Sequence, residues 1–171
     1  SLWREYSSGV NNQYGFKIQE GMIKDQKFEK PIITPTTKAE YGLHDEPISK
    51  EKIILDLVDK EIYEKAEKYA MELFLEGQLW AEKQGLILVD TKYEFGMVDG
   101  ELIVIDEIHT PDSSRYWIAD EYEARFSNGQ NQLMLDKENV RQWLIDRGFS
   151  GEGIPPKLSD DIRILLSEKY M

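Results

Sequence analysis

The sequence predicts an α+β domain in which an antiparallel sheet with a central hairpin, over about 86–108, is flanked by helices. Three observations carry this. The runs Leu86-Ile-Leu-Val-Asp90 and Leu102-Ile-Val-Ile-Asp106 are rich in branched residues, as strands are. They are joined through Asp99-Gly100, a strong hairpin signal. Apolar residues at three-and-four spacing recur on both sides of them, the mark of amphipathic helices. The 171 residues suit one domain, with residues 1–48 extended and looped and residues 49–171 forming a helix-hairpin-helix core.

Residues 1–48 show little periodicity and are interrupted by Gly9, Gly15, Gly21, Pro31, Pro35 and Gly42. Pro31 to Pro47 reads as extended chain and then a long loop, either functional or a plain surface excursion. Ser49 is the expected N-cap of a first helix. From Asp59 the positions Ile62, Ala66, Tyr69, Ala70, Leu73, Phe74 and Trp80 trace one helical face, and Gly85 is the expected stop. Lys and Glu fill the opposite face, as on any solvated helix. After the hairpin, Thr110-Pro-Asp-Ser-Ser-Arg115 is a turn-type cluster leading into Tyr116-Trp117. Asp136 to Arg147 is the next predicted helix, capped by Asp136, with Val140, Trp143 and Leu144 on one face and Gly148 as its stop. Pro155-Pro156 forbids helix locally, and Ser159 caps a last helix carrying Ile162, Leu165 and Leu166.

Composition narrows the function. The chain has 33 acidic and 21 basic residues, a formal charge of −12, which argues against general nucleic-acid binding. Small phosphorylated ligands stay open, because a metal ion or a few placed cations can hold them. With no cysteine there is no disulfide, no thiol nucleophile and no thiolate metal site. No apolar run reaches membrane-spanning length and no signal peptide is visible, so the cytoplasm is the expected compartment. Ser1 in place of Met suggests a processed or excised product.

The hairpin loop decides which side chains share a face. Alternation puts Asp90, Lys92 and Glu94 together and Val89, Tyr93 and Phe95 opposite them. A two-residue Asp-Gly turn separates Glu94 from Asp106, whereas a three-residue loop ending on a left-handed Gly100 unites them. The second register is favoured, because it also collects Ile87, Val89, Tyr93, Phe95, Met97, Ile103 and Ile105 as a core face. Asp90, Glu94 and Asp106 around Lys92 then suit a hard divalent ion such as Mg²⁺ with substrate phosphates, or an ordinary mixed-charge solvent face. Zinc is disfavoured, since His44 and His109 fit no zinc spacing. Arg115, in a turn with Ser113 and Ser114, suits a phosphate or carboxylate, or a nearby Asp.

Beyond these patterns lies a resemblance. Gly85-Leu-Ile-Leu-Val-Asp-Thr-Lys-Tyr-Glu-Phe-Gly96 followed by Ile105-Asp-Glu-Ile-His-Thr-Pro-Asp-Ser-Ser-Arg115-Tyr-Trp strongly resembles the signature region of phosphoribosylaminoimidazole-succinocarboxamide synthase, the SAICAR synthetase family of purine synthesis. Ser1-Leu-Trp-Arg-Glu-Tyr6, Thr34-Pro-Thr-Thr-Lys-Ala-Glu40 with His44-Asp45, Asp136-Lys137 with Val140-Arg141, and the Gly-x-x-Pro-Pro segment resemble its flanks. The resemblance implies an ATP-dependent ligase that joins L-aspartate to carboxyaminoimidazole ribotide through an acyl phosphate. It implies Glu94 and Asp106 as Mg²⁺-nucleotide ligands, and Asp90 and Lys92 facing the imidazole. Asp112, Ser113 and Ser114 would line the substrate pocket, Arg115 with Ser1 would grip the ribotide phosphate, and the His44-Asp45 loop would close over the aspartate. The family's enzymes begin with a lobe that covers the nucleotide, and nothing before Ser1 matches it. The resemblance therefore implies the C-terminal portion of such an enzyme, inactive alone. A non-catalytic ribotide-binding module and another ATP-using phosphotransferase are the alternatives.

Overall fold

The computed structural model describes residues 2–38, 45–135, 138–149, 151 and 153–170. They form α1 (Leu2–Ser7), α2 (Lys50–Asp56), α3 (Lys60–Lys83), β1 (Leu86–Thr91), β2 (Phe95–Val98), β3 (Glu101–Val104), β4 (Ser114–Ile118), α4 (Ala119–Ser127), α5 (Glu138–Ile145) and α6 (Asp160–Tyr170). The α+β class is as the sequence predicts. The chain divides into two compact units, Ser1–Glu72 and Leu73–Met171, with the division inside α3.

In the first unit the looped opening contains a helix, α1, too short to show periodicity. It ends where the Ser7 and Ser8 hydroxyls donate back to the carbonyls of Arg4 and Glu5. Tyr6 ties α1 to the following turns: its hydroxyl donates to Gln19 O at 3.0 Å and accepts from Met22 N at 3.1 Å. The ends of the 31–47 excursion are clasped together, Thr37 N donating to Glu46 O at 2.9 Å and Ile48 N to Pro35 O at 3.1 Å. Ser49 caps α2 as expected, accepting from Lys52 N. Ile48, Ile53 and Tyr63 close a small core beneath it. The Lys50 ammonium bridges to Glu67 at 2.7 Å and lies over the Tyr63 ring.

The second unit corrects the strand pairing. Leu86–Thr91 does not pair with Leu102–Asp106; β1 pairs with β4, and β2 pairs with β3, both antiparallel. Phe95 faces Val104 and Val98 faces Glu101, which leaves Asp99 and Gly100 as a two-residue loop. Their φ angles of 49° and 82° are both positive, as a type I′ turn requires. That turn matches the right-handed twist of the strands, so the two-residue register wins over the three-residue one. The core face changes with it. Leu88, Leu102 and Trp117 are buried, whereas Met97, Ile103 and Ile105 are exposed.

Besides α1, two elements of the second unit lie beyond the predicted ones. β4 carries Trp117 to the start of α4, where Trp117, Tyr122 and Phe126 stack in series at centroid spacings of 5.8 and 5.7 Å. The chain then returns along β4, with Ile118 N donating to Leu133 O and Leu135 N to Tyr116 O. Gly85 ends the α3 region at φ 70° and accepts from Ala119 N at 2.9 Å, joining the starts of β1 and α4. Asp136, the expected cap of α5, lies outside the described residues. Gly148 closes α5 as expected, at φ 79°, with Phe149 N donating to Leu144 O.

Among the described residues Leu88 is the most deeply buried large side chain, at 1% exposure in the middle of β1. Leu88→Ala removes its packing and leaves a cavity, so a loss of about 3 kcal/mol is expected. Urea denaturation of the variant beside the parent protein measures it, and a loss below about 1 kcal/mol would show that the site collapses to fill the space.

Candidate functional site

Two of the candidate site residues, Asp90 and Arg115, come together because β1 is irregular. Leu86, Ile87 and Leu88 pair in step with Ile118, Trp117 and Tyr116, and then the register shifts between Leu88 and Asp90. Val89 is the extra residue. The shift sets Asp90 opposite Arg115 and Thr91 opposite Ser114, and such bulges re-aim side chains at the rims of sheets. An Arg115 guanidinium nitrogen stands 3.6 Å from the Asp90 carboxylate, an ion-pair distance too long for a good hydrogen bond. Arg115 Nε is buried and has no hydrogen-bond partner among the described residues. A buried, unpaired N–H on a permanent cation is a ready donor to an incoming anion.

Hydroxyls surround this pair. Thr91 Oγ1 and Ser114 Oγ are 2.8 Å apart across the strands, and Ser113 Oγ lies 3.3 Å from Ser114 Oγ. Lys92 N donates to Ser113 O at 3.1 Å, carrying the β1–β4 pairing one residue further. Thr110 orders the turn: its carbonyl accepts from Ser114 N, and its hydroxyl accepts from Ser113 N and donates to the Glu107 carboxylate. Asp112 is exposed on that turn.

Lys92 and Glu94 form a second charged pair, with the ammonium 2.8 Å from the carboxylate. Glu94 is the more enclosed of the two, at 16% side-chain exposure against 56% for Lys92. Ile105 N donates to Glu94 O at 3.0 Å, so Asp106 leaves the open end of the β2–β3 hairpin next to Glu94. Asp106 is exposed, and its Oδ1 accepts from Glu107 N. The expected gathering of Asp90, Glu94 and Asp106 on one ladder face is not found. Among the described residues no set of three His, Asp or Glu side chains is close enough to hold a metal. The reason is the two-residue turn, which sets Ile105 rather than Asp106 on Glu94's side. Ser1 and His44 lie outside the described residues; Asp45 is exposed in the first unit.

Sequence reasoning missed His109 and its neighbours. His109 Nε2 and the Tyr93 hydroxyl are 2.5 Å apart, and Tyr116 donates to His109 O at 2.7 Å. Burial holds the His109 imidazole below its ordinary pKa of 6.5 and pushes the Tyr93 phenol up to about 12. The unfolded chain thus binds a proton at His109 more readily than the folded one. Stability should fall as pH drops from about 6.5 through the depressed folded value, and be intact above 6.5. Thermal midpoints across that range, compared with those of His109→Asn, isolate the contribution; parallel curves would refute it.

Residues 1–156 match the family model for SAICAR synthetase. The chain belongs to the SAICAR synthetase family. It is 50% identical over its whole length to the phosphoribosylaminoimidazole-succinocarboxamide synthase of Bacteroides thetaiotaomicron, of which it covers 55%. It also superimposes on the SAICAR synthase of Saccharomyces cerevisiae complexed with SAICAR, at a TM-score of 0.79 and 33% identity. That match covers 99% of this chain and 53% of the yeast chain. A SAICAR synthetase in complex with ADP matches at a TM-score of 0.57 and 26% identity, over 77% of this chain and 55% of that one. The chain thus spans about half the length of the SAICAR synthetases it matches. No helix among the described residues is long and apolar enough to cross a membrane.

Two carboxylates, Glu94 and Asp106, stand near the hairpin's open end, and carboxylate oxygens are the ligand class of hard divalent ions. Glu94 and Asp106 offer only hard carboxylate oxygens, the set that Mg²⁺ takes beside substrate phosphates. Glu94 already draws a cation, the Lys92 ammonium, to within 2.8 Å.

Proposed function

We propose that these residues form the ribotide and metal-nucleotide face of an ATP-dependent ligase, which joins L-aspartate to carboxyaminoimidazole ribotide. The observation that carries this reading is the bulge in β1, which sets Asp90 against Arg115 beside a strip of hydroxyls and the Lys92–Glu94 pair. Of the two matching structures, one is complexed with SAICAR and the other with ADP, ligands of the same chemistry.

In this reading a ribotide carboxylate oxygen attacks the γ-phosphorus of ATP. The bond to the β-γ bridging oxygen breaks, and ADP and an acyl phosphate result. The aspartate amine then attacks the acyl carbon, loses a proton and expels inorganic phosphate. Phosphoryl transfer asks the protein mainly for position and charge. Lys92 faces the carboxylate and offsets negative charge that grows on it. Asp90 orients the imidazole while its partner Arg115 turns its Nε to the ribotide phosphate, a role the family resemblance also assigns to Ser1. Asp112, Ser113 and Ser114 line the substrate pocket, where the two hydroxyls can hydrogen-bond the ribotide. Glu94 and Asp106 would hold the Mg²⁺, which neutralises phosphate charge. The family resemblance assigns His44 and Asp45 to the aspartate substrate. The activity belongs to the full-length protein, and the 171 residues alone are expected to turn over far more slowly, because phosphates left in water gain less from each charge.

The deciding experiment incubates the full-length protein with ATP, Mg²⁺, the ribotide and L-aspartate. Phosphate release that requires both the ribotide and aspartate is expected. Release without aspartate would point to another phosphotransferase. Ribotide binding with no release would point to a binding module.

A further inference from the structure

His109 holds a backbone conformation that its type seldom adopts unsupported: its φ is 57°, in the left-handed region. Three elements hold it there. Its ring rests on α3 at Gly77, where an added Cβ would come within 2.4 Å of Cε1 and 2.7 Å of Nε2. Gly77 is buried and has an ordinary helical φ, so its lack of a side chain serves space rather than backbone freedom. From the link between β1 and β2, Tyr93 meets the ring edge-on at 5.6 Å and shares a hydrogen bond with Nε2. From β4, Tyr116 donates to the His109 carbonyl.

What these contacts join is informative. Tyr93 stands between Lys92 and Glu94 in the chain. His109 stands midway between Asp106 and Asp112, in the segment that continues to Arg115. One half-buried pair therefore links the two stretches that bear the candidate site's charged groups. We propose that His109 is a positioning residue: seated on Gly77 and joined to Tyr93, its ring sets where Asp106 and the Asp112–Arg115 turn stand relative to Lys92 and Glu94. The proposal rests on the functional reading above for what is being positioned. It follows that α3, which contributes no site residue, governs the site through the notch at Gly77.

Two variants of the full-length protein test it. His109→Gly deletes the ring and also relieves the positive φ, so the backbone gains while the plug is lost. If the ring positions the site, kcat/KM for the ribotide falls about tenfold or more although the thermal midpoint holds. Tyr93→Phe keeps the ring contact and removes the hydroxyl, with a fall of about threefold expected. Either variant folded and within about twofold of the parent in kcat/KM would overturn the proposal. If His109→Gly does not fold, Tyr93→Phe decides alone. Should the parent protein show no ribotide- and aspartate-dependent phosphate release, the functional reading fails and a spectroscopic arm decides positioning. There, backbone amide resonances of Asp112–Arg115 are compared between the parent and Tyr93→Phe. Displaced resonances support the linkage, and unmoved ones overturn it. With two histidines in the chain, the ring signals of His109 are readily assigned as a control on its seat.

Discussion

Glu94→Gln and Asp106→Asn are each expected to lower turnover of the full-length protein by about a thousandfold while leaving it folded. Each change keeps the side chain's size and removes one negative charge. If Glu94 and Asp106 hold Mg²⁺ against the transferring phosphoryl group, the loss falls on the transition state, where several kcal/mol of charge stabilisation act. The cost to the fold is small for a physical reason. Asp106 is exposed and its carboxylate accepts a neighbouring backbone N–H, a role that an amide oxygen also fills. Glu94 loses its ion pair with Lys92, but Lys92 is more than half exposed, and pairs of that kind are worth at most about 1 kcal/mol. Thermal midpoints within a few degrees of the parent should therefore accompany the lost turnover. Near-normal turnover in either variant at saturating Mg²⁺ would remove that residue from the metal site. The hairpin register makes the paired measurement worthwhile. Asp106 sits one residue past the partner of Glu94, so a shared ion would have to be met at the hairpin's open end rather than on a common ladder face.

How far the sequence foretold this arrangement depends on the range of the forces involved. The Ser49 cap, the amphipathic run of α3, its stop at Gly85 and the place of the hairpin turn at Asp99-Gly100, though not its two-residue register, rest on neighbours in the chain and were legible. The partner of β1 was not. Ser114–Ile118 reads as Ser-Arg-Tyr-Trp-Ile, which carries no alternating or branched run, and its strand identity comes from pairing with distant residues. With that partner hidden, Leu102–Asp106 was the only visible mate for Leu86–Asp90, and the error in register followed. α4 was invisible for a related reason. Its N-cap position is Ile118, which offers no side-chain hydrogen bond, so no start signal exists. The bulge at Val89 has no sequence signature at all, yet it is what sets Asp90 against Arg115. The roles of the site residues came from family resemblance, and patterning alone left them as either a Mg²⁺-phosphate site or a mixed-charge face. A buried glycine under a left-handed histidine could be found only in three dimensions.

Arg115→Lys is expected to raise KM for the ribotide by about a hundredfold while kcat changes little. The substitution keeps the charge, so the loss must come from geometry. A guanidinium presents a planar fork of N–H donors that meets two phosphate oxygens at once, whereas an ammonium is a single rotating point charge. Arg115 is built for the fork. Its Nε is buried without a partner among the described residues, and its terminal nitrogen is only loosely held by Asp90 at 3.6 Å. Both groups therefore exchange little for the incoming phosphate. A charge-assisted hydrogen bond contributes about 1.5–3 kcal/mol, and the loss of one such bond is near a factor of one hundred. Phosphate is remote from the bond being made, so its grip acts on ground state and transition state alike, which is why KM should move and kcat should not. The same variant leaves Asp90 facing a flexible ammonium across the bulge. If Asp90 relies on Arg115 to stay aimed at the imidazole, kcat falls as well. Steady-state kinetics with the ribotide varied at saturating ATP and aspartate separate these outcomes. An unchanged KM would show that Arg115 serves the β1–β4 pairing alone, as a cross-strand partner of Asp90, and that the ribotide phosphate is held elsewhere.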